Sequence, residues 1–294
     1  MRRIFFTLIL FLLHLVFLNA QVASSGKVPV VINNLPNSAS KKDNPPLQAE
    51  TRTDLSVGSG KYYALIIGVN TYSDPQIIEL DYAIRDAEKF YNAITAKYTF
   101  DPADVRFLKN ATYENIIDAL DYYVKIIKPT DNFLIFYAGH GYWNASSEIG
   151  FWLPNDAQKN STRNWFRNSV LRDYLREIKS KHTLLISDAC FGGSIILKTR
   201  NAFPDASLAI NKLYELPSRK AMTSGTITEV PDQSAFLKYL VDRLQNNFDK
   251  YLSSEQLFSN FRMAVINNSK VLPQYGVIQD VGDEGGDFIF ILRQ

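Results

Sequence analysis

Cysteine is nearly absent from this chain of 294 residues: there is one, Cys190. A single thiol excludes an intramolecular disulfide and leaves no Cys-rich zinc framework. A lone thiol is either a small, inert core residue or is kept for its reactivity. Charge of one sign is also missing. The formal net charge is +2, and Arg2 and Arg3 are the only charges in residues 1–20, so the remainder is neutral. That balance argues against nucleic acid or an anionic membrane as the main partner. There is no Gly-x-Ser-x-Gly elbow, no phosphate-binding loop and no zinc spacing. Beyond residue 18 no apolar run is long enough to span a membrane.

The one long apolar run is at the start. "MRRIFFTLILFLLHLVFLNA" has a basic opening, an apolar stretch from Ile4 to Leu18 and a small residue, Ala20, before polar sequence. This is the pattern of a cleaved signal peptide, residues 1–20; an uncleaved anchor is the alternative. The expected location is periplasmic or extracellular, with no stable membrane association once the segment is removed. Residues 21–57 are rich in Ser, Asn, Pro and Lys and read as a flexible linker or pro-segment.

From Lys61 onward strand and helix patterns alternate. "YALIIGVN", "NFLIFYA" and "HTLLISDA" are short apolar runs that predict buried strands. "DVRFL", "KAMTSG" and "DFIFIL" predict further strands. Helical spacing predicts helices in "LDYAIRDAEKFYNAITAKY", "TYENIIDALDYYVKII", "SVLRDYLREIKSK", "SAFLKYLVDRLQNNF" and "SEQLFSNFRMAVINN". Thr112 is the expected cap of the second, with Asn115 in the capping-box position, and Ser169 the expected cap of the third. Such alternation predicts an α/β fold with a mostly parallel sheet covered on both faces, binding its ligands at the carboxyl ends of the strands. His182, at the start of a strand with no partner in sequence, reads as a surface residue. "VGDEGGDF" (281–288) gathers carboxylates without the spacing of a calcium loop.

Two of the strongest strands end in unusual chemistry. "NFLIFYA" runs into Gly139-His140-Gly141, and "HTLLISDA" into Cys190 and Phe191-Gly192-Gly193. If these strands are neighbours, the histidine and the thiol meet at one sheet edge. A cysteine nucleophile needs a proton acceptor, and His140 supplies one. The backbone amides of Gly141 and Cys190 are candidates for an oxyanion hole. Gly139 is expected to let the strand end close to a substrate backbone. By strand alternation Asp188 points to the same side as Cys190, where it would attract Lys or Arg; its alternative role is to cap a neighbouring helix or loop.

"FLIFYAGHG" and "TLLISDACFGGS", with His140 and Cys190 50 positions apart, resemble the two active-site strands of caspase-like cysteine peptidases, in particular the bacterial metacaspases. "YALIIGVNTY", "LDYAIRDAEKF", "SRKAMTSGT" and "EGGDFIFIL" are similar to other parts of that family, over about residues 60–294. The resemblance implies a caspase-like three-layer α/β/α sandwich around a mostly parallel sheet of about six strands. It implies a peptidase domain at 58–294: a larger half at 58–195, a connecting loop at 196–219 and a smaller half at 220–294. It implies a Cys190–His140 dyad, with Gly141 and Cys190 as oxyanion hole. Caspases carry Gln-Ala-Cys at the nucleophile, whereas this chain has Asp188-Ala189-Cys190.

By similarity to metacaspases, Asp86 is a second pocket carboxylate and Ala138 a small pocket-lining residue; on the residues alone, Asp86 also reads as part of a solvated helix face. The function these features predict is an exported cysteine endopeptidase cutting protein or peptide substrates after Arg or Lys. It needs no cofactor, a weak calcium dependence aside. The basic residues Lys198, Arg200, Lys212, Arg219 and Lys220, with Lys41, Lys42 and Arg52 in the linker, are candidate sites of self-processing. The alternatives are a caspase-fold binding or regulatory module with little turnover, and an acyl transferase or ligase using the same dyad.

Overall fold

Apolar runs cannot be left facing water, and this chain stacks three strands built on them side by side. The structure, a computed structural model, describes residues 57–189, 195–197, 208–225 and 233–293. In chain order the elements are β1 (Tyr62–Gly68), α1 (Ala83–Lys97), β2 (Val105–Lys109), α2 (Tyr113–Ile126), β3 (Asn132–Ala138), β4 (Gly141–Asn144), β5 (Ile149–Trp152) and β6 (Phe166–Arg167). There follow α3 (Asn168–Glu177), β7 (His182–Asp188), β8 (Ile196–Leu197), α4 (Leu208–Glu215), β9 (Ser218–Thr223), α5 (Ala235–Gln245), β10 (Tyr251–Ser253), α6 (Ser254–Asn268), β11 (Gln274–Ile278) and β12 (Ile289–Ile291). Arg52–Gln294 forms one compact unit. The expected signal peptide at 1–20 and nearly all of the expected linker at 21–57 lie outside the described residues.

The main sheet has the order β2-β1-β3-β7-β9-β11-β8. From β2 to β9 all neighbours are parallel; β11 runs antiparallel to β9 and carries the two-residue β8 on its outer side. β1, β3 and β7 are buried at every position. Alternate side chains of these strands enter two separate cores. Ile66, Phe136 and Ile186 pack with Phe90 of α1, Leu237 of α5 and Phe261 of α6. Ile67, Ile135 and Leu185 pack with Leu120 of α2 and Leu171 of α3. The result is the three-layer α/β/α sandwich with a mostly parallel sheet.

Local details follow from side-chain chemistry. Thr112 Oγ1 accepts from Asn115 N–H at 3.2 Å while Asn115 Oδ1 accepts from Thr112 N–H at 3.1 Å, closing the expected capping box. Ser169 is not a cap: α3 begins at Asn168, directly from β6, and Arg167 at the cap position makes no side-chain cap bond. The strand, rather than a capping side chain, sets where that helix starts. His182 is not at the surface. It opens the central strand β7 and is fully buried, with Nδ1 3.0 Å from Ser218 Oγ and Nε2 3.1 Å from Tyr214 O. Burial, reinforced by the charge of Lys181, lowers its pKa to about 3, so it stays neutral.

The connecting stretch 196–219 is not all loop. It contains β8, α4 and the first residues of β9. "DFIFIL" does form a strand, β12, but it pairs with β10 outside the main sheet. Its aromatic residues Phe288 and Phe290 join Tyr62, Tyr98 and Phe100 instead.

Candidate active site

β3 and β7 are parallel neighbours in exact step, with Ala138 opposite Asp188 and, on the other side, Gly68 opposite Ala138. Three central strands therefore end in one row. His140 is two residues beyond that row on β3, and Cys190 is two residues beyond it on β7. Cys190 and the glycines after it lie outside the described residues; the chain is described up to Ala189, which is fully buried.

The backbone of His140 is fixed from three directions. Its N–H donates to Tyr72 OH at 2.9 Å, and its carbonyl accepts from Tyr137 OH at 2.8 Å and Leu153 N–H at 3.0 Å. The imidazole lies against the Tyr72 ring, centroids 5.2 Å apart. Nε2 is 2.8 Å from the carbonyl oxygen of Ile78. A carbonyl only accepts, so Nε2 carries the hydrogen and Nδ1 of the neutral ring is left as a proton acceptor. The segment bearing Ile78 is itself tied down. Asn110, at φ +50°, accepts from the N–H groups of Asn70 and Thr71 at 2.8 and 3.1 Å, and Asn70 carbonyl oxygen accepts from Leu80 N–H at 2.8 Å.

Gly141 opens β4, opposite Trp152 of β5. Because Leu153 N–H bonds to the His140 carbonyl, the alternation of an antiparallel ladder turns the Gly141 N–H away from β5. Gly139 has a different reason from the one expected. A Cβ there would lie 2.8 Å from Tyr137 Oη and 3.3 Å from Val69 Cβ, so the bare position admits the tyrosine that holds His140 rather than a substrate.

Asp188 is buried, with 7% exposure, and its Oδ1 has no hydrogen-bond partner among the described residues. Burial is the main cause that lifts its carboxyl to about 6; the charge of Asp86 adds to the rise, while the Ser234 and Ser224 hydroxyls oppose it. Asp86, in the first turn of α1, is also buried and pairs with Lys89 Nζ at 2.9 Å. Asp86 is therefore not part of a solvated helix face, and the two carboxylates are close enough to feel one another. A cavity of about 720 Å³ opens at Asp86 between α1 and α5, with Arg85, Asp86, Lys89 and Ser234, the serine whose hydroxyl acts on Asp188, on its wall. Ala138, 2% exposed, sits in the sheet between Gly68 and Asp188.

Sequence reasoning missed Tyr72, Ser234, Lys89 and the Ile78 carbonyl. Tyr72 stands in "GVNTYSD", close after β1, where an aromatic residue beside a strand end was the available signal. A backbone carbonyl leaves no residue signature. Two proposed processing sites are also corrected. Arg219 and Lys220 lie inside β9; the Arg219 guanidinium donates to the backbone carbonyls of Ser180, Lys181 and Ser218, and Lys220 pairs with Asp283 at 3.1 Å. A bond locked in a central strand is not presented to a peptidase. Lys198 and Arg200 lie outside the described residues. In the acidic stretch 281–288, Asp283 serves this pairing and Asp287 caps α6 by accepting from Glu255 N–H at 3.0 Å.

The α/β/α sandwich with its mostly parallel central sheet is the architecture of a caspase domain. The chain belongs to that family: the Peptidase C14 caspase-domain model matches residues 61–279. Among curated proteins, the chain is 30% identical over 129 residues to Metacaspase-1 of Meyerozyma guilliermondii, covering 40% of this chain and 31% of that protein. It is 29% identical over 91 residues to Metacaspase-1 of Kluyveromyces lactis, covering 28% of this chain and 21% of that protein. The chain thus spans under a third of the length of these relatives. A crystal structure of a Geobacter sulfurreducens protein is similar in fold, with a TM-score of 0.52 at 19% identity, covering 78% of this chain and 99% of that one.

Proposed function

We propose that the protein is an exported cysteine endopeptidase that cleaves proteins or peptides after Arg or Lys, with Cys190 as nucleophile and His140 as its acid–base partner. The observation that carries this reading is the parallel register of β3 and β7, which aligns the residues preceding His140 and Cys190 at one sheet edge. Chain connectivity keeps residue 190 within one peptide unit of Ala189. Nδ1 of His140 takes the Sγ proton, and the thiolate attacks the scissile carbonyl carbon. The Gly141 and Cys190 amides receive the oxyanion. As the tetrahedral adduct collapses, the C–N bond breaks and the imidazolium returns its proton to the leaving amine. Water, deprotonated by His140, then hydrolyses the thioester and frees the thiol.

Asp188 supplies the selectivity. Burying a carboxylate is expensive, and a cationic substrate side chain would give Asp188 Oδ1 a partner that it lacks among the described residues. Asp86 adds a second negative charge, and Ala138 keeps the strand row free of bulk. No cofactor is needed for any step; a calcium response would act outside the dyad. Export rests on the leader at residues 1–20, and self-processing on Lys198, Arg200 and the linker.

The test is labelling by an Arg-terminated peptide chloromethyl ketone, read by mass spectrometry of the digested protein. The expected adduct is on Cys190 and requires His140. A folded protein that takes no label would overturn the enzyme reading in favour of a binding module. Hydroxylamine or an added amine appearing in the product in place of water would instead indicate acyl transfer.

A further inference from the structure

The two pocket carboxylates are not in the same condition. Asp188 Oδ1 is buried and has no hydrogen-bond partner among the described residues, whereas Asp86 Oδ1 already has a cation, Lys89 Nζ, at 2.9 Å. Lys89 lies three residues along α1, and its side chain is 52% exposed against 8% for Asp86. Both belong to the wall of the cavity of about 720 Å³ between α1 and α5. The other charges on that wall are engaged differently. Arg85 lies over the Tyr82 ring at 3.9 Å, Lys238 lies 5.4 Å from the Tyr239 ring centroid, and Asp242 on α5 lies 3.9 Å from Arg243.

We infer that Lys89 is a removable counter-ion of the substrate pocket: it holds Asp86 while the pocket is empty and gives way to the cationic side chain of the substrate. The inference rests on the reading of Asp86 and Asp188 as the pocket for Arg or Lys. Its physical basis is the cheapness of the pair. An ion pair between residues i and i+3 with one partner half in water contributes little, because the exposed ammonium loses almost nothing on returning to solvent. A guanidinium entering the cavity offers a planar fork that can bond to a carboxylate with two donors at once, which the Lys89 ammonium cannot. Until it leaves, the ammonium repels an incoming cation. Lys89 therefore sets the concentration at which basic substrates bind, and has no part in the bond-breaking steps.

The test is steady-state kinetics of Lys89→Met and Lys89→Gln on Arg- and Lys-terminated peptides at fixed ionic strength, repeated in an Asp86→Asn background. The expected result is a KM about three- to fivefold lower with kcat unchanged. With Asp86→Asn the same change at Lys89 is expected to leave KM where it was, because there is no carboxylate left to release. An unchanged or raised KM in both variants would overturn the inference. So would an equal fall in KM in the Asp86→Asn background, which would reduce Lys89 to a distant charge. A wild-type protein that turns over other peptides but none with Arg or Lys would overturn the pocket reading itself and this inference with it. Turnover of basic peptides by wild type, with no gain in the Lys89 variants, overturns this inference alone.

Discussion

Asp287 and Asp188 are both buried and yet differ in what surrounds them. Asp287, 1% exposed at the start of α6, accepts from Tyr275 OH at 2.7 Å, Phe288 N–H at 2.8 Å, Glu255 N–H at 3.0 Å and the Ser254 hydroxyl. Burial raises its carboxyl, and all four donors pull it back. Asp188 has the Ser234 hydroxyl, an oxygen with no hydrogen-bond partner among the described residues, and a second carboxylate, Asp86, nearby. The first arrangement joins α6, β11 and the approach to β12. That difference among the described residues is what the proposed binding of a cationic substrate side chain at Asp188 would account for.

The sharpest break of this comparison is Asp287→Ala. It strips four donors of their acceptor in a buried site and should cost about 3–5 kcal/mol of stability, measured by denaturant unfolding. Asp188→Asn should go the other way. With its carboxyl raised to about 6, the folded chain holds that proton more tightly than the unfolded chain, whose carboxyl titrates near 4. Stability is therefore lost as pH rises from about 4 through 6. Asp188→Asn should recover up to about 3 kcal/mol at pH 8 and little at pH 4. The same variant should lose about a hundredfold in kcat/KM on Arg peptides, a removed charge partner being worth about 3 kcal/mol.

In the wild type, KM for basic peptides should rise about tenfold per pH unit as pH falls below 6, and Asp188→Asn should lose that limb. The smallest effect is expected from Tyr72→Phe. It removes the hydroxyl that accepts from His140 N–H at 2.9 Å and should lower kcat about tenfold, with KM little changed.

Much of this was readable in the sequence because its signals were local. β1 and β3 are almost unbroken apolar runs and β7 has an apolar centre at Leu184–Ile186, the appearance of strands buried on both faces. The Gly-His-Gly turn and the lone cysteine stood at the ends of two of them, and strand alternation gave Asp188 its side. What escaped depends on tertiary partners. β11 contains Gly276, follows Pro273 and is only partly buried, so its pattern is weak; the neighbour β9 makes it a strand. His182 looked like a surface residue because its partners Ser218 and Tyr214 are more than 30 positions away. The tautomer of His140 is set by a main-chain oxygen, and composition cannot reveal it. Lys89 beside Asp86 is an ordinary helical spacing in "RDAEK" that gains meaning only from the cavity it lines.

The proposed selection of basic peptides by Asp188 beside Cys190 and His140 is tested most directly by a positional peptide library, read by sequencing the cleavage products of the wild-type protein and of Cys190→Ala. The expected result is cleavage confined to bonds after Arg or Lys, and none with Cys190→Ala. Cleavage after Asp or after uncharged residues, or turnover that survives Cys190→Ala, would contradict it.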